Sequence, residues 1–491
     1  MKKYIIIIII CFALIGGIVY YVITNNTQED TNATEYLAQA DDYYNDKQYS
    51  KALEQYKLAI NTDPSNIESY LKAAEIYFLK SKIDDAIELL LNGENTVTNP
   101  DMLHYKLGQL FLEKDDKQVA LEYFEQANKE NPNNWENSIE LVKLYSYYPD
   151  KIEQSIKTLE KIETEDNEGY RWTNYYFALL SYSETDKALE YLNDSTNISD
   201  SEVKDRINNL IEILNKTKSD PEDIVQNNTL IAYEMIRSEL YPYAITLLGS
   251  VISENDEYYA AYMYLGICYL NMNDLDKAAE NLTTATNTDS DQIQPWIFLA
   301  QVYTKQSNQK LAIDTFEEAL NINREDETVR YDYAKTLEIF GLYMQAKTQY
   351  NELIELNTSN QVQYKIDLSL IHIDYLEEYE EGLNLIKEVV ENWNSSLSVN
   401  SNLKAEALDV LGWAYENNDE KDNALKYLKQ SLEINPYNAS AYYHLGYVYS
   451  EIDNYVEANS NFERAIDLDL EGDISSKASI ELEYLTNENT D

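Results

Sequence analysis

Cysteine, histidine, proline and glycine are all scarce in this chain of 491 residues, which holds 2 Cys, 3 His, 8 Pro and 12 Gly. Cys11 lies in an apolar run and Cys268 far downstream in a helical pattern, so no disulfide framework exists and Cys268 reads as a small core residue. His104, His372 and His444 stand far apart, with no Cys or His at ligand spacing nearby, and read as ordinary helix residues. No phosphate-cradling glycine loop, serine elbow or HExxH motif is present, so no metal, cofactor or catalytic residue is expected. Sheet-rich folds need more turn residues than this, which favours helices. Basic residues are also few. Lys+Arg is 38 against Asp+Glu 88, a net charge of -50, which speaks against nucleic acid as a partner and against lying flat on an anionic membrane face. Hydrophobic residues make up 44%, and Tyr alone numbers 45, so apolar area is ample for folding despite the charge. The length exceeds what one ordinary core fills, which leaves several domains or a repeat array.

The long apolar run that does occur is at the amino end. After Met1-Lys2-Lys3, residues 4–23 carry no charge, and about twenty helical residues span a hydrocarbon core. The run is too long for a signal peptide and Thr24-Asn25-Asn26-Thr27 offers no small-residue cleavage site, so an uncleaved transmembrane helix is expected. Lys2 and Lys3 form a basic tip, residues 1–3, that should stay inside, placing the remainder on the outer face of the cytoplasmic membrane. Residues 24–32 form a polar spacer.

Beyond it the chain repeats with a period of 34. A small residue recurs at Ala52, Ala86, Ala120, Ala188, Ala244, Ala278, Ala312 and Ala346, drifts at Gly382 and returns at Ala424 and Ala458; Gln154 fills the slot after Ala120. Twelve residues upstream a second small slot holds Ala40, Ala74, Gly108, Ala232, Gly266, Ala300, Ala334, Gly412 and Gly446. Aromatic residues such as Tyr43, Tyr77, Phe111, Tyr269, Tyr303 and Tyr449, and large apolar ones such as Tyr56, Phe124, Leu282, Phe316 and Phe462, keep the same register. Apolar residues spaced by three and four mark helical faces, so each period predicts two antiparallel helices that bury their faces against neighbouring copies. Asp63-Pro64, Asn131-Pro132 and Asn435-Pro436 should end second helices.

This slot set resembles the tetratricopeptide repeat family, most clearly over Asp101–Pro132 (Leu107, Gly108, Phe111, Ala120, Phe124, Ala127) and Ala405–Pro436 (Leu408, Leu411, Gly412, Tyr415, Ala424, Leu428). The resemblance implies an all-α solenoid, a right-handed superhelix of about twelve hairpins. The units begin near Ala33, Ile67, Asp101, Trp135, Gly169, Val225, Tyr259, Ile293, Glu327, Gln363, Ala405 and Ala439. The expected division is a first array over 33–202 with its last two repeats degenerate, a linking helix over 203–224, a second array over 225–470, and a capping helix with an acidic tail over 471–491. Tyr176 takes a small-residue slot in the degenerate region, and Ser395–Asn402 reads as a polar loop insertion.

The family's inner groove is lined by first helices and typically holds peptides or partner proteins. On that face this sequence places Tyr105, Phe177, Tyr233, Met263, Ile267, Ile297, Tyr331, Trp413, Tyr443 and Tyr447, a candidate partner groove. Leu37, Asp41 and Glu75 occupy slots where chaperone-tail binders of the family carry Lys and Asn, so that function is not implied. The expected role is a membrane-anchored, non-enzymatic scaffold for protein–protein interaction in envelope assembly. A cell-wall carbohydrate module, an envelope chaperone and a cytoplasm-facing adaptor remain alternatives.

Overall fold

The computed structural model describes residues 32–148, 151–162, 168–219, 224–356, 358–392, 400–469 and 472–488. The expected membrane helix at 4–23, the basic tip and the spacer up to residue 31 lie outside them. Among the described residues there is no strand, and no helix is long and apolar enough to cross a membrane.

The helices follow one another in pairs, one pair to each period. They form two compact units. The first, Met1–Glu130 with Lys421–Asp491, contains α1 (32–45), α2 (Tyr49–Thr62), α3 (Ile67–Leu79), α4 (Ile83–Glu94), α5 (Asp101–Glu113) and α6 (Lys117–Glu130), then α23 (Lys421–Ile434), α24 (Ala439–Glu451), α25 (Tyr455–Leu468) and α26 (Asp473–Glu488). The second, Asn131–Glu420, begins with α7 (Trp135–Tyr145), α8 (Ile152–Leu159), α9 (Glu168–Leu180), α10 (Thr185–Ser195) and the unpaired α11 (Ser201–Ser219). It continues through α12 (Ile224–Arg237), α13 (Tyr241–Glu254), α14 (Tyr259–Asn271), α15 (Leu275–Thr288), α16 (Ile293–Lys305) and α17 (Gln309–Ile322). It ends with α18 (Glu327–Ile339), α19 (Tyr343–Glu355), α20 (Gln361–Leu370), α21 (Tyr379–Glu391) and α22 (Ser401–Asn417).

Within a pair, a small residue of the first helix meets a large one of the second. A Cβ on Gly108 would sit 2.7 Å from the Phe124 ring, one on Gly266 would sit 2.4 Å from Leu282 Cγ, and one on Gly446 would sit 2.8 Å from Phe462 Cδ1. The Ala52, Ala86, Ala120, Ala244, Ala278, Ala312 and Ala458 side chains are wholly buried. Second helices stop where the Asx-Pro steps place them: α2 at Thr62, α6 at Glu130 and α23 at Ile434. First helices start on capping side chains, with Asn66 accepting from the Ser69 amide at 2.9 Å and Asn134 from the Asn137 amide at 3.0 Å.

The turn inside each pair also repeats. Lys47, Ser81 and Asp115, then Glu239, Asn273 and Ser307, each 34 residues apart, all have φ between 54° and 60°. The following amide reaches back to the aromatic-slot carbonyl, Gln48 to Tyr43 at 2.8 Å and Asn308 to Tyr303 at 2.9 Å. This is the closure that normally takes glycine in the left-handed position. Among the described residues only Gly341, at φ 69°, supplies one in that slot.

Four sequence expectations are refined. At the degenerate repeat Gln154 is exposed and Ser155 is the buried small residue, and α8 begins at Ile152, one past the period (117 + 34 = 151). The drift at Gly382 has a local cause. α20 begins on period (327 + 34 = 361), yet the left-handed turn falls at Glu377 rather than 375 (341 + 34 = 375). The excess lies in the helix, where Ile371–Tyr375 forms a π turn that takes in extra residues. The end of the expected 395–402 loop is helical: Asn400 accepts from the Leu403 amide at 2.8 Å and caps α22. The linking helix α11 separates no cores, since Val203, Ile207, Leu210 and Leu214 belong to one buried cluster running from Ile139 to Cys268.

α26 covers the last hairpin, setting Ala478 and Leu485 against Phe462 and Ala465. In the same unit the array's beginning and end touch. Asp467 accepts from Ser50 Oγ at 2.5 Å and Lys80 Nζ at 3.0 Å, and the Arg464 guanidinium donates to the Asp46 and Lys47 carbonyls at 2.8 and 2.9 Å.

Two outcomes follow. Left-handed φ costs a non-glycine residue about 1–2 kcal/mol, partly offset by glycine's greater unfolded-state entropy. Ser307→Gly is therefore expected to stabilise its repeat by about 0.5–1 kcal/mol, read as slower amide exchange in α16 and α17. Gly446→Leu should destabilise by about 1–3 kcal/mol by overpacking Phe462, with the loss confined to α24–α26. Exchange that quickens throughout the chain would contradict nearest-neighbour packing.

Candidate protein-binding groove

The ten groove residues divide by burial. Met263 and Ile297 are buried core members, Met263 packed with Leu282 and Leu299, and Ile297 with Phe316 and Tyr333. Ile267 is half-buried against the same two-sided packing. The assignment of Met263 and Ile297 to an open face is thus corrected: each packs with residues of its own partner helix (Leu282, Phe316) and of the next first helix (Leu299, Tyr333). Tyr105 lies half-buried 5.8 Å from Phe124 and accepts from Gln109 at 3.1 Å, while Phe177 stacks on Tyr191 at 4.9 Å. Tyr443 rests 6.0 Å from Phe462, and Tyr447 is half-buried against the Phe462–Leu485 cluster. Trp413 Nε1 donates to Asp374 Oδ1 at 2.8 Å, across to the π turn. Tyr233 is exposed, 5.2 Å from Tyr264, with the Arg237 guanidinium over its ring at 5.8 Å.

Tyr331 alone among the ten opens onto the larger groove cavity of the second unit, about 540 Å³, between the first helices α18, α20 and α22. Its hydroxyl donates to Asp367 Oδ2 at 3.2 Å and its ring lies 5.4 Å from Tyr364. The hydroxyl is held above its ordinary range, first by burial and then by the Asp367 charge. Around it are Glu327, Asn360, Gln363 and Glu406, none of which a search for aromatic residues could find. The available signal was that amides and carboxylates occupy the same first-helix face. Tyr233 borders a second, smaller cavity of about 380 Å³ with Ile213, Leu230 and Arg237.

Two polar nodes were also missed. His104, buried, places Nδ1 2.7 Å from Glu130 and Nε2 3.2 Å from Glu94, tying α4, α5 and α6 together. In the second unit Arg206 Nε donates to Glu234 at 2.8 Å and its Nη2 to Ser238 Oγ at 2.9 Å. The Tyr175 hydroxyl lies 3.2 Å from Ser238 Oγ, and the Tyr176 hydroxyl donates to the Ser238 carbonyl at 3.3 Å. Burial pushes the Tyr175 hydroxyl up to about 12. Cys268 is wholly buried, and burial likewise raises its thiol to about 12, leaving it an inert core group. Among the described residues no cluster of His, Cys, Asp and Glu could hold a metal ion.

Tetratricopeptide repeat models match residues 103–134, 237–302, 293–326, 405–438 and 427–459. Over these residues the chain carries tetratricopeptide repeats. It is 22% identical over 335 residues to the TPR repeat-containing protein YpiA of Bacillus subtilis, covering 63% of this chain and 77% of that one. It is also 22% identical over 451 residues to the TPR repeat-containing protein MJ1428 of Methanocaldococcus jannaschii, covering 88% and 69% respectively. Among solved structures, the APC/C hetero-tetramer Cut9-Hcn1 aligns over 92% of this chain and 96% of that chain, at 14% identity and a TM-score of 0.37. Where the period breaks, the Arg206–Glu234 pair ties α11 to α12.

Glu234→Ala would leave Arg206 buried without its carboxylate, so a loss of about 3–5 kcal/mol is expected, read as faster amide exchange in α9, α11 and α12. Little change would mean that water already reaches the guanidinium.

Proposed function

We propose that the chain is a scaffold that assembles protein partners at the cell envelope, held to the cytoplasmic membrane by residues 4–23 with its repeats outside. The observation that carries the binding part is the cavity built by three successive first helices, α18, α20 and α22, where a partner segment can run from one repeat to the next. Its mixture of amide, carboxylate and tyrosine groups suits a peptide, whose backbone offers donors and acceptors at regular intervals. Support for the anchor is the uncharged run 4–23, and support for the orientation is Lys2-Lys3 before it with Glu29, Asp30 and Glu35 after it.

Protease added to intact protoplasts is expected to digest the repeat region, and digestion only after permeabilisation would instead make the protein a cytoplasm-facing adaptor. A parallel panel of extended peptides and cell-wall glycans on the same protein separates the scaffold from a carbohydrate module, with glycan binding alone overturning the scaffold.

A further inference from the structure

We propose that the cavity between α18, α20 and α22 holds a lysine or arginine side chain of an extended partner segment. This rests on the scaffold reading above and adds the chemistry of what is held. Two carboxylates line the cavity, and neither is fully used. Glu327 takes the hydroxyls of Thr358 and Tyr364, both at 2.5 Å, and the Asn360 amide at 3.0 Å, all on Oε1. Glu406 takes the Gln363 amide at 3.2 Å, also on Oε1. Among the described residues no donor reaches Oε2 of either. No Lys, Arg or His lines the space.

The contrast with the neighbouring acid is informative. Asp367, buried beside the cavity, is matched by Lys335 Nζ at 3.3 Å and the Tyr331 hydroxyl. The chain therefore pairs the acid that packing encloses and leaves the two on the cavity wall half-satisfied. Glu406 is held above the ordinary carboxylate range by burial and by the nearby charges of Asp367 and Asp409, against opposing pulls from the Gln363 hydrogen bond and Lys335. An incoming cation would offset the like-charge repulsion. The volume, about 540 Å³, admits a whole guanidinium or ammonium with its stem, and Leu403 and the two tyrosine rings give the stem an apolar wall. Asn402 at the rim offers an amide to the segment's backbone.

The test uses the full chain in detergent and an arginine-containing peptide beside its citrulline counterpart, which has the same shape without the charge. Fluorescence anisotropy should show the arginine peptide binding roughly tenfold or more tightly, as for a charge pair formed away from water. Glu406→Gln should erase that ratio, and Asn402→Arg, at an exposed position that packing does not use, should weaken the arginine peptide by supplying a rival cation. Glu483→Gln, on the exposed face of α26, should leave both peptides unchanged. An equal loss from Glu483→Gln and Glu406→Gln would reduce the effect to general attraction by a chain of charge -50 and overturn the proposal. Equal binding of both peptides, weakened by Tyr331→Ala, would overturn the cation while leaving the scaffold standing. Binding of neither, with glycans bound instead, would remove both.

Discussion

In the hairpins α5–α6, α14–α15 and α24–α25 a small residue on the first helix meets a large side chain sixteen positions later on the second (124 − 108 = 16). The depth of that contact sets how closely the two axes approach. It fixes the register of the turn between them, and so the left-handed residue that closes the first helix. The non-glycine residues at that turn show which constraint wins. About 1–2 kcal/mol of backbone strain is tolerated at Ser81, Ser307 and Glu239 because the hairpin geometry leaves no other conformation for the position.

Where the seam fails, polar groups replace it. Tyr176 occupies a slot that elsewhere holds Gly or Ala; α9 and α10 still pack, with Ala188 and Leu192 wholly buried, and the larger ring reaches beyond the hairpin. Its hydroxyl and that of Tyr175 turn to Ser238, which Arg206 and Glu234 also engage. The inserted helix α11 brings Arg206 on a face that also supplies Val203, Ile207 and Leu210 to the core. One inserted helix thus restores both the apolar contact and the hydrogen bonding lost at the degenerate repeat, and the core continues through the break instead of ending at it.

The fold was legible because its determinant is periodic. Small, aromatic and large slots recur at fixed spacing, and each occurrence reinforces the others, so starts such as Ile67, Asp101, Tyr259, Ile293 and Ala439 coincide with helix starts. Gln154 shows the limit: a single-residue slip in a turn leaves the period readable but puts the neighbouring Ser155 inside. The groove was less legible. Met263 and Ile297 have the spacing of a free face, yet neighbouring first helices enclose them, and enclosure depends on packing that no single helix encodes. Aromatic residues drew attention because they are large. The groups that face the cavity are amides and carboxylates, whose abundance along this acidic chain hides them from any count by type.

Charge binds these levels together. With 38 basic residues against 88 acidic ones, the chain cannot neutralise all its acids internally, and some of its bases meet acids that packing encloses. Arg206 meets Glu234, Lys335 meets Asp367 and Lys80 meets Asp467, each acid lying on a buried or nearly buried side chain. Other bases meet acids on open helix faces, Lys114 with Asp84 and Lys218 with Asp186, where water and salt screen the pair. The intermediate class is the informative one: a carboxylate too enclosed for full hydration but given no internal base. In a chain with so few cations, such a position is where a cation from outside gains most by arriving.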